Sequence, residues 1–310
     1  MPKLTELERL EKYHELFTLV VENPRIMPKG IAKRLRYSGQ GKARSTIAYH
    51  LKKMYEEKIS MGPQICLRTF KRAQITTYLC KKSASRGLFS MLKKIDKDPN
   101  INYALCLSSS DFFLTSRDKN LHVEKYGLTI KEKSSMFTPL YPIPKNWNLD
   151  INNTFQAFLE TPFEKGRIKR KIHNNLNWST LDWRIYDFIK GDIRQKFTVV
   201  ARSTDTTSKT VKDHFYRQIM PNCIQINYFF PKGYHNYLKA FIRISSSFER
   251  SIVEGLRKLP STNYVFPLER SIVLILFHES IVKTLEFLEK MEKMAIIDGY
   301  LLYSILASTG

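Results

Sequence analysis

Ser45-Thr46-Ile47-Ala48-Tyr49-His50-Leu51-Lys52-Lys53-Met54-Tyr55-Glu56-Glu57-Lys58 reads as a recognition helix. Ile47, Leu51 and Met54 recur at i, i+4 and i+7 and give it one apolar stripe for a core, while Arg44, Ser45, Tyr49, Lys52 and Lys53 lie off that stripe. The stretch Ser208 to Ile219 repeats the device, with Val211, Phe215 and Ile219 inward and Lys209, Lys212, Tyr216 and Arg217 outward. Thr46-Ile47 followed by His50-Leu51 matches Thr210-Val211 followed by His214-Phe215 at an offset of 164. Pro99-Asn100-Ile101-Asn102-Tyr103 matches Pro260-Ser261-Thr262-Asn263-Tyr264 at an offset of 161. Two matches at nearly one offset predict an internal duplication.

Outward from the first stretch, the spacing predicts a helix over 4–22 ended by Asn23-Pro24, and a short helix over 28–36. A glycine-bearing connection, Tyr37 to Lys42, then leads to the cationic helix, which makes a helix-turn-helix. Strands over 64–70 and 74–80, joined at Lys71-Arg72, predict a wing hairpin. A helix over 86–98, strands over 101–107 and 112–117, a strand over 122–128 and a helix over 152–160 follow. The second half predicts helices over 181–192, 198–202 and 208–219, then strands over 223–230 and 236–244 around Pro231-Lys232-Gly233. It closes with helix 247–259, strands 262–268 and 271–278, helix 280–293 and strand 294–307, so that residues 236–307 read as β-α-β-β-α-β. The expected fold is therefore α+β, a tandem duplication of a winged helix-turn-helix and a ferredoxin-like βαββαβ domain. Its expected boundaries are 1–82, 83–164, 165–235 and 236–310.

The chain carries a net charge of +22. It is distributed as +11 over 1–82, +1 over 83–164, +11 over 165–243 and −1 over 244–310. All of the excess lies in the segments that hold the two cationic helices, as attraction to phosphates requires. No apolar run approaches the ~20 residues of a membrane span and no secretory h-region is visible, so a cytoplasmic, nucleoid-associated protein is expected. Cys66, Cys80, Cys106 and Cys223 form no C-x-x-C pair. Reduced, buried thiols and no structural metal are expected. No phosphate loop, H-E-x-x-H or nucleophile elbow is present, and no catalytic residue is assigned.

A helix-turn-helix, a connecting strand and β-α-β-β-α-β, with Leu181-Asp182 opening a helix and Asp111 in the turn before Phe112-Phe113-Leu114, resembles the leucine-responsive (Lrp/AsnC) family of regulators. Ser108 stands where that family's hairpin has glycine, and the second copy has Ile272 at the Asp111 position. The resemblance implies a transcriptional regulator, not an enzyme, that binds double-stranded DNA and admits a small-molecule effector, with no cofactor. The duplication would place a pseudo-dimer in one chain, with further homodimerisation left open.

On that reading the groove-facing residues are Lys42, Arg44, Ser45, Thr46, Tyr49, Lys52 and Lys53 in the first module and Thr207, Ser208, Lys209, Lys212, Asp213, Tyr216 and Arg217 in the second. Arg68, Lys71 and Arg72 at the wing suit phosphate contact. His50 and His214 occupy equivalent positions beside the apolar stripes and are read as packing or capping groups. Two other classes stay open. Siroheme decarboxylases share the double architecture and hold a tetrapyrrole between paired ferredoxin-like domains. Such an enzyme needs a cationic, histidine-bearing pocket, which the near-neutral charge of 83–164 and 244–310 argues against. A replication initiator or architectural DNA-binding protein is the remaining alternative.

Overall fold

The computed structural model describes residues 5–35, 42–83 and 87–309; the connection over 37–41 and the side chain of Lys42 lie outside them. Three helices open the chain: α1 (Glu6–Glu22), α2 (Pro28–Arg34) and α3 (Lys42–Glu56). Thr5 and Glu8 cap α1 reciprocally. The predicted stripe of Ile47, Leu51 and Met54 packs on Tyr13, Phe17 and Val20 of α1 and Ile31 of α2. After β1 (Gln64–Leu67) come β2 (Ile75–Lys82), α4 (Leu88–Asp96), β3 (Ile101–Leu107), β4 (Asp111–Ser116) and β5 (Leu128–Met136), then α5 (Ile151–Leu159).

The second half repeats this order. Helices α6 (Thr180–Ile189), α7 (Phe197–Thr204) and α8 (Ser208–His214) form the second module. α8 runs through a π turn at Phe215–Ile219 into α9 (Met220–Asn222). Pro221 has no N–H to give to the preceding turn, which accounts for the widened ladder there. β6 (Cys223–Ile226), β7 (Leu238–Ser245), α10 (Glu249–Leu256), β8 (Tyr264–Pro267), β9 (Ile272–His278), α11 (Ile281–Lys293) and β10 (Gly299–Ser308) follow. The expected α+β class, helix-turn-helix modules plus ferredoxin-like units, is what the chain adopts.

Neither wing hairpin forms. β1 pairs antiparallel with β6, Gln64 opposite Ile226 and Leu67 opposite Cys223, while β2 and β7 belong to one eight-stranded sheet. The reason lies in the side chains. Ile65 of β1 is buried in the core of the second module with Ile185, Val211 and Phe215, and Phe229, just past β6, is buried in the core of the first. Each module is thus completed by a residue from the other half. A reciprocal arginine latch reinforces the exchange: Arg25 donates to the carbonyls of Ile193 and Gln195, and Arg194 donates to those of Pro24 and Ile26. His214 Nδ1 lies 2.7 Å from Asp182 Oδ1 in the α6 capping box. Burial works to raise the Asp182 carboxyl, but hydrogen bonds from Ser179 and His214 outweigh it and hold it below the ordinary value. His50 packs against the Tyr13 ring.

The sheet order β5-β2-β4-β3-β10-β7-β9-β8 contains the ferredoxin-like order 4-1-3-2 twice, joined where β3 pairs with β10. The sheet folds back on itself. Met136 bridges Leu268, Leu140 bridges Val265, and Phe137 N–H donates to the Pro267 carbonyl, which brings the chain after β5 against β8. Inward residues of both units then share one core, with Phe113 and Phe241 rings 5.1 Å apart. Outward residues pack beneath α4 on one side and beneath α5, α10 and α11 on the other. The strand expected over 122–128 is instead a single 3₁₀ turn at Val123–Tyr126 leading into β5. The second helix of the first unit is thereby reduced to one turn. α5 leaves that unit and covers the other, with the Phe155 ring stacked 4.3 Å from Phe287.

Candidate functional site

A cleft of about 490 Å³ opens where α6 faces one end of the first ferredoxin-like unit. That is within the ~300–1,000 Å³ range of small-ligand sites. Its walls come from four places: Cys66 and Arg68 at the end of β1, Ile101 and Arg117 from β3 and the end of β4, Met136 to Pro139 after β5, and Tyr186 and Lys190 on α6. The β1–β6 pairing carries β1 into this position, and the Leu67 N–H donates to the Tyr186 hydroxyl across 3.3 Å. Thr69 N–H donates to Thr138 Oγ1 at 3.0 Å and ties down the opposite wall.

The cleft is cationic. Lys190 is paired with Asp187 at 2.8 Å, but Arg68 and Arg117 have no carboxylate partner among the described residues. The Arg117 guanidinium lies 5.4 Å from the ring of Trp183, which with Trp178 packs against Tyr186 and the second module's core rather than lining the cleft. Two proton-bearing groups face this charge. Burial pushes the Cys66 thiol up to about 11, with Arg117 pulling the other way. Burial likewise raises the Tyr186 phenol well above its ordinary range. Both keep their protons at neutral pH. No histidine lines the cleft.

The residues assigned from sequence are distributed differently. Arg44, Ser45, Tyr49, Lys52 and Lys53 lie on the outer face of α3, with Thr46 partly buried and Lys52 and Lys53 both paired with Glu56. Thr207 caps α8 by accepting from Thr210 N–H. Ser208, Lys209, Lys212, Tyr216 and Arg217 are exposed beyond it, and Asp213 is partly covered. Lys71 and Arg72 are exposed in the turn before β2. Of the members of this set among the described side chains, only Arg68 lines the cleft. Arg117, Tyr186 and Lys190 escaped notice. A signal existed for two of them: Trp183, Tyr186 and Lys190, at i, i+3 and i+7, make an aromatic and cationic stripe on α6.

No family model matches the sequence, and no curated protein matches it. Solved structures do. A crystal structure of the siroheme decarboxylase NirDL matches over 96% of this chain and 91% of its own, with a TM-score of 0.54 and 9% identity. The same enzyme in co-complex with an iron-uroporphyrin III analogue matches over 98% and 92%, with a TM-score of 0.50 and 9% identity. The shared property is the fold, over nearly the whole of both chains.

These matches correct four expectations: a DNA-binding regulator, a protein that is not an enzyme, the lack of a cofactor, and double-stranded DNA as partner. The solved chains matched in fold are those of a siroheme decarboxylase, and one is in co-complex with an iron-uroporphyrin III analogue. The charge argument failed for a physical reason. Segment totals treat every cation as outward-facing, yet Arg25 and Arg194 are spent on carbonyls between modules and Arg170 on the buried Glu249. The cationic cleft, in turn, draws on three segments at once, among them the nearly neutral 83–164, which supplies Arg117. Nucleoid association loses its support with the regulator. No helix among the described residues is long and apolar enough to cross a membrane.

Proposed function

We propose that this chain binds a polycarboxylated tetrapyrrole in the cleft between α6 and the first ferredoxin-like unit and decarboxylates it. The observation that carries the reading is the pair of unneutralised guanidiniums, Arg68 and Arg117, facing a ligand-sized cleft in a chain that shares the fold of a siroheme decarboxylase. Arginine binds carboxylates through a planar, two-pronged donor set, and Lys190 adds a third cation. The Tyr186 ring, backed by Trp178 and Trp183, offers the cleft one aromatic surface for a macrocycle. Loss of CO2 leaves an electron pair on the substrate carbon, which a proton must then quench. Tyr186 and Cys66, protonated at neutral pH, are two groups in the cleft able to supply it. The histidine required by the sequence argument is replaced here by these two donors.

We further read the chain as two fused copies of an Lrp/AsnC-like unit. The exchanged residues Ile65 and Phe229 and the Arg25–Arg194 latch support this, since both relate the halves reciprocally.

The test is to titrate the purified chain with iron-uroporphyrin III under anaerobic conditions, following the Soret band, and then to look for loss of CO2 by mass spectrometry. A saturable Soret shift with decarboxylated product is expected. An unchanged spectrum and unchanged mass would sink the reading.

A further inference from the structure

The two stretches that match at an offset of 161 meet opposite surroundings. Pro99, Ile101 and Asn102 line the open cleft, and Pro99 and Asn102 are exposed. Pro260, Ser261, Thr262 and Asn263 lead into β8 and are all buried, the last three completely. Other parts of the cleft's frame also recur. β6 answers to β1, β9 to β4 and α1 to α6, so the repeated order of elements supplies a second frame between α1 and the second ferredoxin-like unit. Gln225 Nε2 donates to the Val21 carbonyl at 3.2 Å and ties β6 to α1, as Leu67 ties β1 to α6.

That second frame is filled. The ring of Phe229, just past β6, lies 5.0 Å from that of Phe17 and 5.1 Å from that of His14, and Thr262 Oγ1 accepts its N–H at 2.9 Å. Against Phe229 runs the segment that leaves β5. Its Phe137 and Pro139 line the open cleft, Leu140 bridges Val265 of β8, and the Lys145 N–H donates to the Arg257 carbonyl at 2.7 Å. Trp147 then stacks on His14 with ring centroids 5.0 Å apart and meets Phe229 edge-on. Pro139, Pro142 and Pro144 fix the backbone along the way. The cations do not recur. Arg68 follows β1, whereas Asn227 to Phe230 follow β6; Arg117 follows β4, whereas β9 ends in His278, which is 2% exposed. Burial lowers the His278 pKa against a backbone hydrogen bond with Ser280, so the ring is uncharged at neutral pH. A covered, neutral imidazole offers a carboxylate no counter-charge.

We infer that the chain holds one tetrapyrrole and not two: the segment over 137–147 walls the first cleft and, with Phe229, occupies the second frame. The inference rests on the decarboxylase reading and deepens it, since it fixes the number of substrate sites and names the groups that remove the other one. The two frames thereby serve different ends. One keeps Arg68 and Arg117 free for substrate carboxylates. The other is sealed by Ile143, Trp147 and Phe229 on the core of the first module and joins that module to the second ferredoxin-like unit.

The test is a stoichiometric Soret titration of the full chain with iron-uroporphyrin III, at a chain concentration well above Kd, with native mass spectrometry counting the bound macrocycles. One equivalent per chain is expected. Two equivalents overturn the inference and leave the decarboxylase reading standing. The double variant Arg68→Ala, Arg117→Ala then locates the site: binding weakened about a hundredfold or more is expected, and wild-type affinity retained in it would overturn both. Hydrogen exchange of the wild-type complex gives an independent readout. Added protection is expected over 66–69, 99–103 and 137–140, and protection gained instead over 227–230 and 261–264 overturns the inference. A wild-type chain with no saturable binding sinks the decarboxylase reading itself.

Discussion

Arg117 ends β4 with its guanidinium over Trp183 and no carboxylate partner among the described residues. A guanidinium placed this way, exposed at the cleft and without a carboxylate partner, is available to a ligand's carboxylate. Charged hydrogen bonds contribute ~1.5–3 kcal/mol, and ~1.4 kcal/mol is tenfold in affinity. Arg117→Ala is therefore expected to weaken iron-uroporphyrin III binding by roughly ten- to a hundredfold, with the loss shrinking as salt is raised. Lysine at the same position should recover only part of it, because it lacks the two-pronged geometry. A Soret titration of the two variants at two ionic strengths decides this; affinity unchanged in both would remove Arg117 from the site.

β1 and β6 are four residues each and bury little by themselves. Their weight comes from what they carry into the other half. Ile65 is buried among Ile185, Val211 and Phe215, far from its own module in sequence, so truncating it opens a cavity in the second helix-turn-helix. Ile65→Ala is expected to cost about 2–5 kcal/mol. Hydrogen exchange should speed up in α6 and α8 rather than in α1 to α3, and protection lost only in the first module would contradict the exchanged packing. The cleft depends on the same element, since β1 sets Cys66 and Arg68 against α6. Substrate affinity should fall with Ile65→Ala although the residue is not among those lining the cleft.

Across the whole molecule neither half has a complete core. The first module lacks Phe229 without the second half, the second lacks Ile65 without the first, and the eight-stranded sheet is shared between the two units. The Arg25–Arg194 latch and the bridges from 136–140 to β8 add further contacts that only the entire chain can make. Calorimetry is expected to give one transition, with calorimetric and van't Hoff enthalpies in agreement. Two resolved transitions would mean that the halves are independent after all. Coupling of this kind gives the cleft rigid walls, which the proposed decarboxylation would need in order to hold a carboxylate and a proton donor in register.

By itself the sequence determined most of the elements, though neither the 3₁₀ turn at Val123–Tyr126 nor β5. The stripes Ile47-Leu51-Met54 and Val211-Phe215-Ile219, the apolar run of β9, and the matches near offsets 164 and 161 are all local patterns. Such patterns record which face of an element is buried. They do not record what covers it. Tertiary structure decided that β1 pairs with β6 rather than with β2, because a strand's alternation is the same whichever edge it meets. It also decided that Arg68, Arg117, Tyr186 and Lys190 share one cleft, since a cavity's field is a sum over residues whose separation in the chain bears no relation to their distance in space. The charge of each segment was legible from residue 1 onward; whether a given cation faced solvent, a carbonyl or a cleft was settled only when the two halves closed on one another.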